Sequence, residues 1–299
     1  MSRRAELLRV ALRLVSKRKK PRQMPILTIR RRLRLIATVV PGPPAGTRTT
    51  AIDAGGVEAV RIAVRQSVSD LYVLYFHGGG YTVGTAQLYR DFTWRIGRAT
   101  RACVLYFDYR LAPEHPFPAA VEDAVAVYRW LVGGLDPRRI AFMGDSAGGG
   151  LALGTLYKLR DEGTTLPGAA VLLSPWTDLA LTGPSLWSNA ASDPMMNPAS
   201  LPAIANGYLA GADPRNPYAS PLFGDPSGLP PTLIHVGSDE ILRDDAVRMA
   251  EKMRTAGCDV EIDVWPRMPH AWHLYARLVP EGRLAIDRIG TFLRKQLLN

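Results

Sequence analysis

Ile140-Ala141-Phe142-Met143-Gly144-Asp145-Ser146-Ala147-Gly148 carries an apolar, strand-like run straight into Gly-x-Ser-x-Gly, and a helical pattern follows over residues 146–162. A reactive serine on so sharp a strand-to-helix turn needs neighbours without bulk, and Gly144, Ala147 and Gly148 supply them. A helix starting at the serine aims its free amides and positive dipole end at the attacking oxygen. Ser146 is therefore the expected nucleophile.

Upstream, His77-Gly78-Gly79-Gly80-Tyr81 closes a strand read over residues 71–76. Consecutive glycines at a strand end let backbone amides converge without obstruction, as stabilising an oxyanion requires. The expected donors are the amides of Gly79, Gly80 and Ala147, with His77 fixing the loop by a hydrogen bond. Serine at neutral pH is a poor nucleophile and requires a base. Of the five histidines, His77 and His115 precede the serine and His235 lies inside an apolar strand, which leaves His270 and His273. His270 is favoured because it follows Met268-Pro269 in a loop, whereas His273, between Trp272 and Leu274, is expected to pack in the next helix. The acid that orients the base belongs after the penultimate strand, where Asp239, Glu240 and Asp244 are all available.

Around these motifs, short apolar segments at 71–76, 103–107, 140–143, 169–173, 232–236 and 260–264 alternate with helical patterns at 88–100, 118–132, 146–162, 242–256 and 281–297. Such strands are buried on both faces, as in a parallel sheet between helical layers. Residues 49–53 and 57–65 read as an opening hairpin. The exception is 179–230, rich in Pro, Gly, Asn and Ser, with weak helical pieces at 185–190 and 198–210. A long insertion between strands is usually functional. Together with residues 1–45 it is the expected cap, leaving 46–178 and 231–299 as the two parts of the core.

The chain has 299 residues, 47% of them apolar, enough for one large core. No apolar run approaches the roughly 20 residues of a spanning helix. Arg9, Arg13, Lys17 and Arg18 break the first apolar stretch, so the expectation is a cytoplasmic protein without a secretory leader. Cys103 and Cys258, in or beside strands, read as core thiols. The net charge of +10 is concentrated, because residues 1–34 hold 13 Lys and Arg against one acid while the remainder is nearly balanced. Leu7, Leu8, Ala11, Leu12, Leu14 and Val15 recur at helical spacing among Arg3, Arg9, Arg13 and Lys17. The first expectation for this basic amphipathic helix is an apolar stripe docked on the main body. The alternative is contact of residues 1–34 with an anionic membrane surface. Nucleic acid is not expected as a partner, since the segment offers no recognised fold and no interleaved aromatics for base stacking.

Taken together, these motifs resemble the hormone-sensitive-lipase-like esterases, the bacterial branch of the α/β hydrolases marked by HGGG ahead of GDSAGG. The likeness covers residues 70–298. Besides 77–80 and 144–149, Asp108-Tyr109-Arg110-Leu111-Ala112-Pro113-Glu114 matches that family's DYRLAPE segment. The resemblance implies an α/β-hydrolase fold, a mostly parallel eight-stranded sheet flanked by helices with a helical cap, in which Asp108, Arg110 and Glu114 brace loops beneath the site. Laying Leu242-Arg243-Asp244 on the family's D-P-L-x-D puts Glu240 at the acid position, a departure from the commoner Asp similar to one subgroup, with Asp239 and Asp244 as alternatives. It further implies a carboxylesterase acting on small-molecule, short- to medium-chain acyl esters through Ser146, His270 and Glu240, with no metal and no organic cofactor. Cap residues Tyr81, Trp187, Met195, Met196 and Tyr208 would line the pockets. Amide cleavage shares the same acyl chemistry.

Overall fold

The computed structural model describes residues 1–17 and 25–298. Two helices come first, α1 (Arg3–Lys17) and α2 (Ile26–Val39), followed by the hairpin strands β1 (Arg48–Asp53) and β2 (Glu58–Ala63). Next come β3 (Val68–Phe76), α3 (Ala86–Thr100), β4 (Ala102–Phe107), α4 (Ala119–Val132), β5 (Ile140–Asp145), α5 (Ala147–Asp161) and β6 (Ala169–Leu173). The insertion contains α6 (Ser185–Ser188) and α7 (Leu201–Leu209), and the chain closes with β7 (Thr232–Gly237), α8 (Arg243–Thr255), β8 (Val260–Trp265) and α9 (Pro280–Leu297).

Among the described residues the strands form one eight-stranded sheet in the order β1-β2-β4-β3-β5-β6-β7-β8. β2 pairs antiparallel with both β1 and β4, and every other pairing is parallel. The nearly continuous apolar strands follow from burial on both faces. Leu71, Val73 and Tyr75 of β3 join Val104, Tyr106, Ala141 and Met143 in the layer with α3 and α9. Leu74, Phe76, Leu105, Phe107 and Phe142 face the opposite layer, with α4, α5 and α8. Successive side chains alternate between faces, so one strand feeds both cores. Phe142 packs at 4.8 Å from the Phe76 ring and 5.0 Å from Tyr128, and burying each such ring contributes about 1.5–3 kcal/mol.

β8 departs from the expected double burial. It is the last strand, paired on one side only, and its residues are half-buried or exposed. Glu261 and Asp263 there meet Arg288 of α9, with the guanidinium Nε 3.2 Å from Asp263 Oδ2.

The N-terminal segment differs from its reading in two ways. First, α1 turns Ala5, Leu8, Arg9 and Leu12 inward, whereas Leu7, Val10, Ala11, Leu14 and Val15 face outward. The expected docked stripe is thus split, with Ala5 and Leu8 packing against Met268, Trp272 and Ala285. Second, α2 is a helix that the sequence reading left as an undivided basic arm. Ile26, Ile29, Arg30, Leu33 and Ala37 form its inner face at helical spacing. Arg18, Lys19, Lys20 and Arg22, counted in the basic arm, lie outside the described residues. Among the described residues no helix is long and apolar enough to cross a membrane.

Candidate active site

β5 delivers Ser146 into a conformation that L-residues rarely adopt, φ 55° and ψ −124°, directly before α5. Backbone bonds hold it there. Its N–H donates to Leu173 O at 2.8 Å, and its carbonyl accepts from Trp176 N at 2.9 Å and Gly149 N at 3.0 Å. The turn presses against the end of β3 so closely that a Cβ on Gly148 would lie 2.1 Å from the Phe76 carbonyl oxygen. That contact places the first turn of α5, with the Ala147 amide at its start, beside the glycine loop.

Asp145, which the sequence reading passed over, ties the two loops together. Its buried carboxylate accepts from Tyr75 Oη at 2.6 Å, Gly78 N at 2.9 Å and Tyr89 Oη at 3.2 Å. Burial raises its pKa, against the pull of these hydrogen bonds. An acidic residue at the end of an otherwise apolar strand was the available signal, because a buried carboxylate needs several donors. In the glycine loop itself, Gly79 adopts φ 112° and lies so near Val83 that a Cβ would fall 2.1 Å from its carbonyl oxygen. His77 keeps the structural role expected of it. Its Nδ1 lies 2.7 Å from Gly78 O, its ring stacks 4.0 Å from that of Tyr109, and burial lowers its pKa to about 4.

The loops after β7 and β8 bring a carboxylate and an imidazole together. His270 Nδ1 donates to Glu240 Oε2 at 2.8 Å, and both side chains are buried. The other carboxylate oxygen accepts from Ser174 Oγ at 2.7 Å and Gly237 N at 2.5 Å. Ser174 Oγ in turn accepts from Ala271 N at 3.1 Å, so this serine, not singled out from sequence, spans the two loops. Burial works against the His270 imidazolium, but the hydrogen bond and charge of Glu240 outweigh it and raise the pKa above 6.5.

The two alternative acids are engaged elsewhere. Asp244, in the first turn of α8, accepts from Ser185 N at 2.8 Å. Asp239 Oδ2 accepts from Arg9 of α1 at 2.7 Å. Arg9 is only 4% exposed and also donates to the carbonyl of Arg267, so one guanidinium joins the loops that carry Glu240 and His270. Holding those contacts turns Arg9 inward and rotates the apolar stripe of α1 outward. Arg9→Met should therefore lower stability by about 1.5–3 kcal/mol. Chemical denaturation of both proteins checks the value, and Arg9→Lys should recover part of the loss.

His273, the other downstream histidine, is buried against Trp272, with Nε2 3.0 Å from His235 Nδ1. Burial lowers the pKa of both rings. Ser146, His270, Gly79 and Gly80 line one cavity of about 600 Å³, with Ile29 of α2 and Met195, Met196 and Ile204 of the insertion among its walls. Met195 and Met196 thus stand where the sequence reading put them. Tyr81, Tyr208 and Trp187 do not. Tyr81 and Tyr208 stack on each other at 3.7 Å in the core, and Trp187 is 69% exposed, because the short α6 turns that ring to solvent. In the DYRLAPE stretch Glu114 pairs with Arg30 of α2 at 2.8 Å and Arg110 with Asp123 of α4 at 2.8 Å, so both side chains tie this stretch to helices near the surface, and Asp108 is exposed.

The model of the alpha/beta hydrolase fold family matches residues 73–274. This chain belongs to that family. It is 51% identical over 223 residues to an acetyl-hydrolase of Streptomyces hygroscopicus, covering 74% of this chain and 75% of that one. It is also similar, at 43% identity and a TM-score of 0.94, to the crystal structure of an esterase from the bacterial hormone-sensitive lipase family, over 99% of both chains. A crystal structure of EstE5 gives a TM-score of 0.93 at 38% identity over 100% of both chains. The chain is a hormone-sensitive-lipase-like α/β hydrolase, a serine carboxylester hydrolase.

Proposed function

We propose that this hydrolase cleaves short- to medium-chain acyl esters through a Ser146-His270-Glu240 triad and an acyl-enzyme. The observation that carries the reading is Glu240 Oε2 held 2.8 Å from His270 Nδ1, within the cavity that Ser146 also lines. His270 takes the proton of Ser146 Oγ as the oxygen attacks the ester carbonyl, and Glu240 stabilises the imidazolium and its tautomer. The amides of Gly79, Gly80 and Ala147 receive the tetrahedral oxyanion. His270 then protonates the leaving alcohol, and water, deprotonated by the same ring, releases the acid.

Residues 1–45 and 179–230 act as a cap over the core formed by 46–178 and 231–299. Ile29 on one segment and Met196 and Ile204 on the other wall the cavity, which supports this division. A cavity of about 600 Å³ suits a short or medium acyl chain with its alcohol. The acetyl-hydrolase of Streptomyces and the soaking of EstE5 crystals with p-nitrophenyl butyrate point the same way.

Two measurements test the proposal. A fluorophosphonate should label one site, which peptide mass spectrometry places on Ser146. Labelling on any other residue refutes the assignment. Across p-nitrophenyl esters, kcat/KM should fall from butyrate to palmitate, and a maximum at palmitate would overturn the chain-length reading.

The pH dependence has a defined sign. The base must be neutral, and Glu240 holds the His270 proton to higher pH than the ordinary 6.5. The acid limb of kcat/KM should therefore have its midpoint above 6.5, with activity rising as pH increases through it. A midpoint below that value would contradict the assignment of His270 as base.

A further inference from the structure

α1 packs in an unusual sense. Its inner face carries a buried arginine, and its outer face carries Leu7, Val10, Ala11, Leu14 and Val15, spaced as one continuous apolar stripe. Leu7 is 70% exposed and Val15 76%. On α2, Leu27, Leu35, Ile36 and Val39 are likewise exposed, Leu35 at 64% and Val39 at 78%. Exposed Arg3 and Arg4 on α1 and exposed Arg31 and Arg34 on α2 accompany these side chains. A continuous exposed aliphatic stripe along a helix marks an interaction surface, since singly scattered apolar side chains would not recur at helical spacing.

The charge selects the partner. On the outer faces Arg3, Arg4, Arg31 and Arg34 are exposed, and the one acid among residues 1–34, Glu6, is paired with Arg267 at 2.7 Å. A second copy of the chain would oppose this cationic face with another of the same sign, which disfavours a dimer there. A bilayer containing anionic lipid offers both what the arginines need and a medium for the aliphatic stripe. We propose that the outer faces of α1 and α2 bind the surface of such a bilayer. α2 also supplies Ile26 and Ile29 to the cavity around Ser146, so the helix that meets lipid is part of the wall through which the site is built.

The proposal goes beyond ester hydrolysis and is tested without reference to it. Full-length protein is co-sedimented with vesicles of phosphatidylcholine alone and of phosphatidylcholine with phosphatidylglycerol, at low and high salt. The comparison protein carries Leu7→Gln, Leu14→Gln and Val15→Gln, and its fold is checked by its thermal transition. Wild type should partition onto the anionic vesicles about tenfold more strongly than onto the neutral ones, and lose this preference at high salt. The triple variant should lose about tenfold in partitioning with its transition unchanged. Should the triple variant not fold, a single Leu14→Trp reporter decides the matter, since its emission must shift to the blue when anionic vesicles are added. Three results overturn the proposal: no partitioning of wild type, equal partitioning of a folded variant, or an unshifted reporter. Self-association of wild type that the substitutions abolish, without vesicle binding, also overturns it and assigns the face to a second copy.

Discussion

Ser146→Ala should lower kcat/KM for p-nitrophenyl butyrate by about 10⁴–10⁶-fold, leaving only what binding and the oxyanion-binding amides supply. The fold should persist. Ser146 occupies its turn through backbone bonds to Leu173, Trp176 and Gly149, none of which involves the hydroxyl. Alanine can take the same φ of 55° at similar cost, so the thermal midpoint should stay within a few degrees of wild type. Steady-state kinetics on protein of verified thermal transition decides the matter. Activity within about tenfold of wild type in a folded variant excludes Ser146 as nucleophile.

The second large effect separates neighbouring carboxylates. Glu240→Gln is nearly isosteric, and its amide oxygen can accept from Ser174 Oγ and Gly237 N as Glu240 Oε1 does. The amide NH₂ then faces His270 Nδ1, where Glu240 Oε2 accepted a proton. The ring must turn its lone pair to that NH₂ and carry its proton on Nε2, so it cannot accept one from the serine. Turnover should fall about 10⁴-fold. The acid limb of the pH profile should also move to lower pH, because the charge that raises the His270 pKa is gone.

Asp239→Asn should behave quite differently. That side chain contributes no cap to α8, whose N-cap is Leu242 without a side-chain hydrogen bond. It pairs with Arg9. Its loss should cost about 1 kcal/mol of stability and leave turnover largely intact. If Asp239→Asn were inactive while Glu240→Gln kept most of its activity, Asp239 would be the orienting acid and the alignment on Leu242-Arg243-Asp244 would fail.

Much of the fold was legible because its signals are local. A strand that feeds two helical layers must be apolar at successive positions, which is why residues 169–173 could be read directly as β6. The tight turn at Ser146 likewise announces itself through small neighbours, since a Cβ on Gly148 would collide with β3. β8 was read as doubly buried because strand character is local, whereas the absence of a neighbour on one side of the sheet is not.

The sequence by itself determined where the strands and helices of the core fall, where the serine turn and glycine loop stand, and that His270 and a carboxylate lie in the last two loops. Only the tertiary structure decided which carboxylate meets the imidazole. Asp239 and Glu240 are adjacent in the chain, yet one turns to Arg9 and the other to His270. It also decided that Tyr81 and Tyr208 spend their rings on each other and that α1 presents aliphatic side chains to solvent. The physical reason is common to all three. Spacing along a chain fixes which side chains share a face, but the direction of that face is set by partners hundreds of residues away, as Arg9 is held by Asp239 and Arg267.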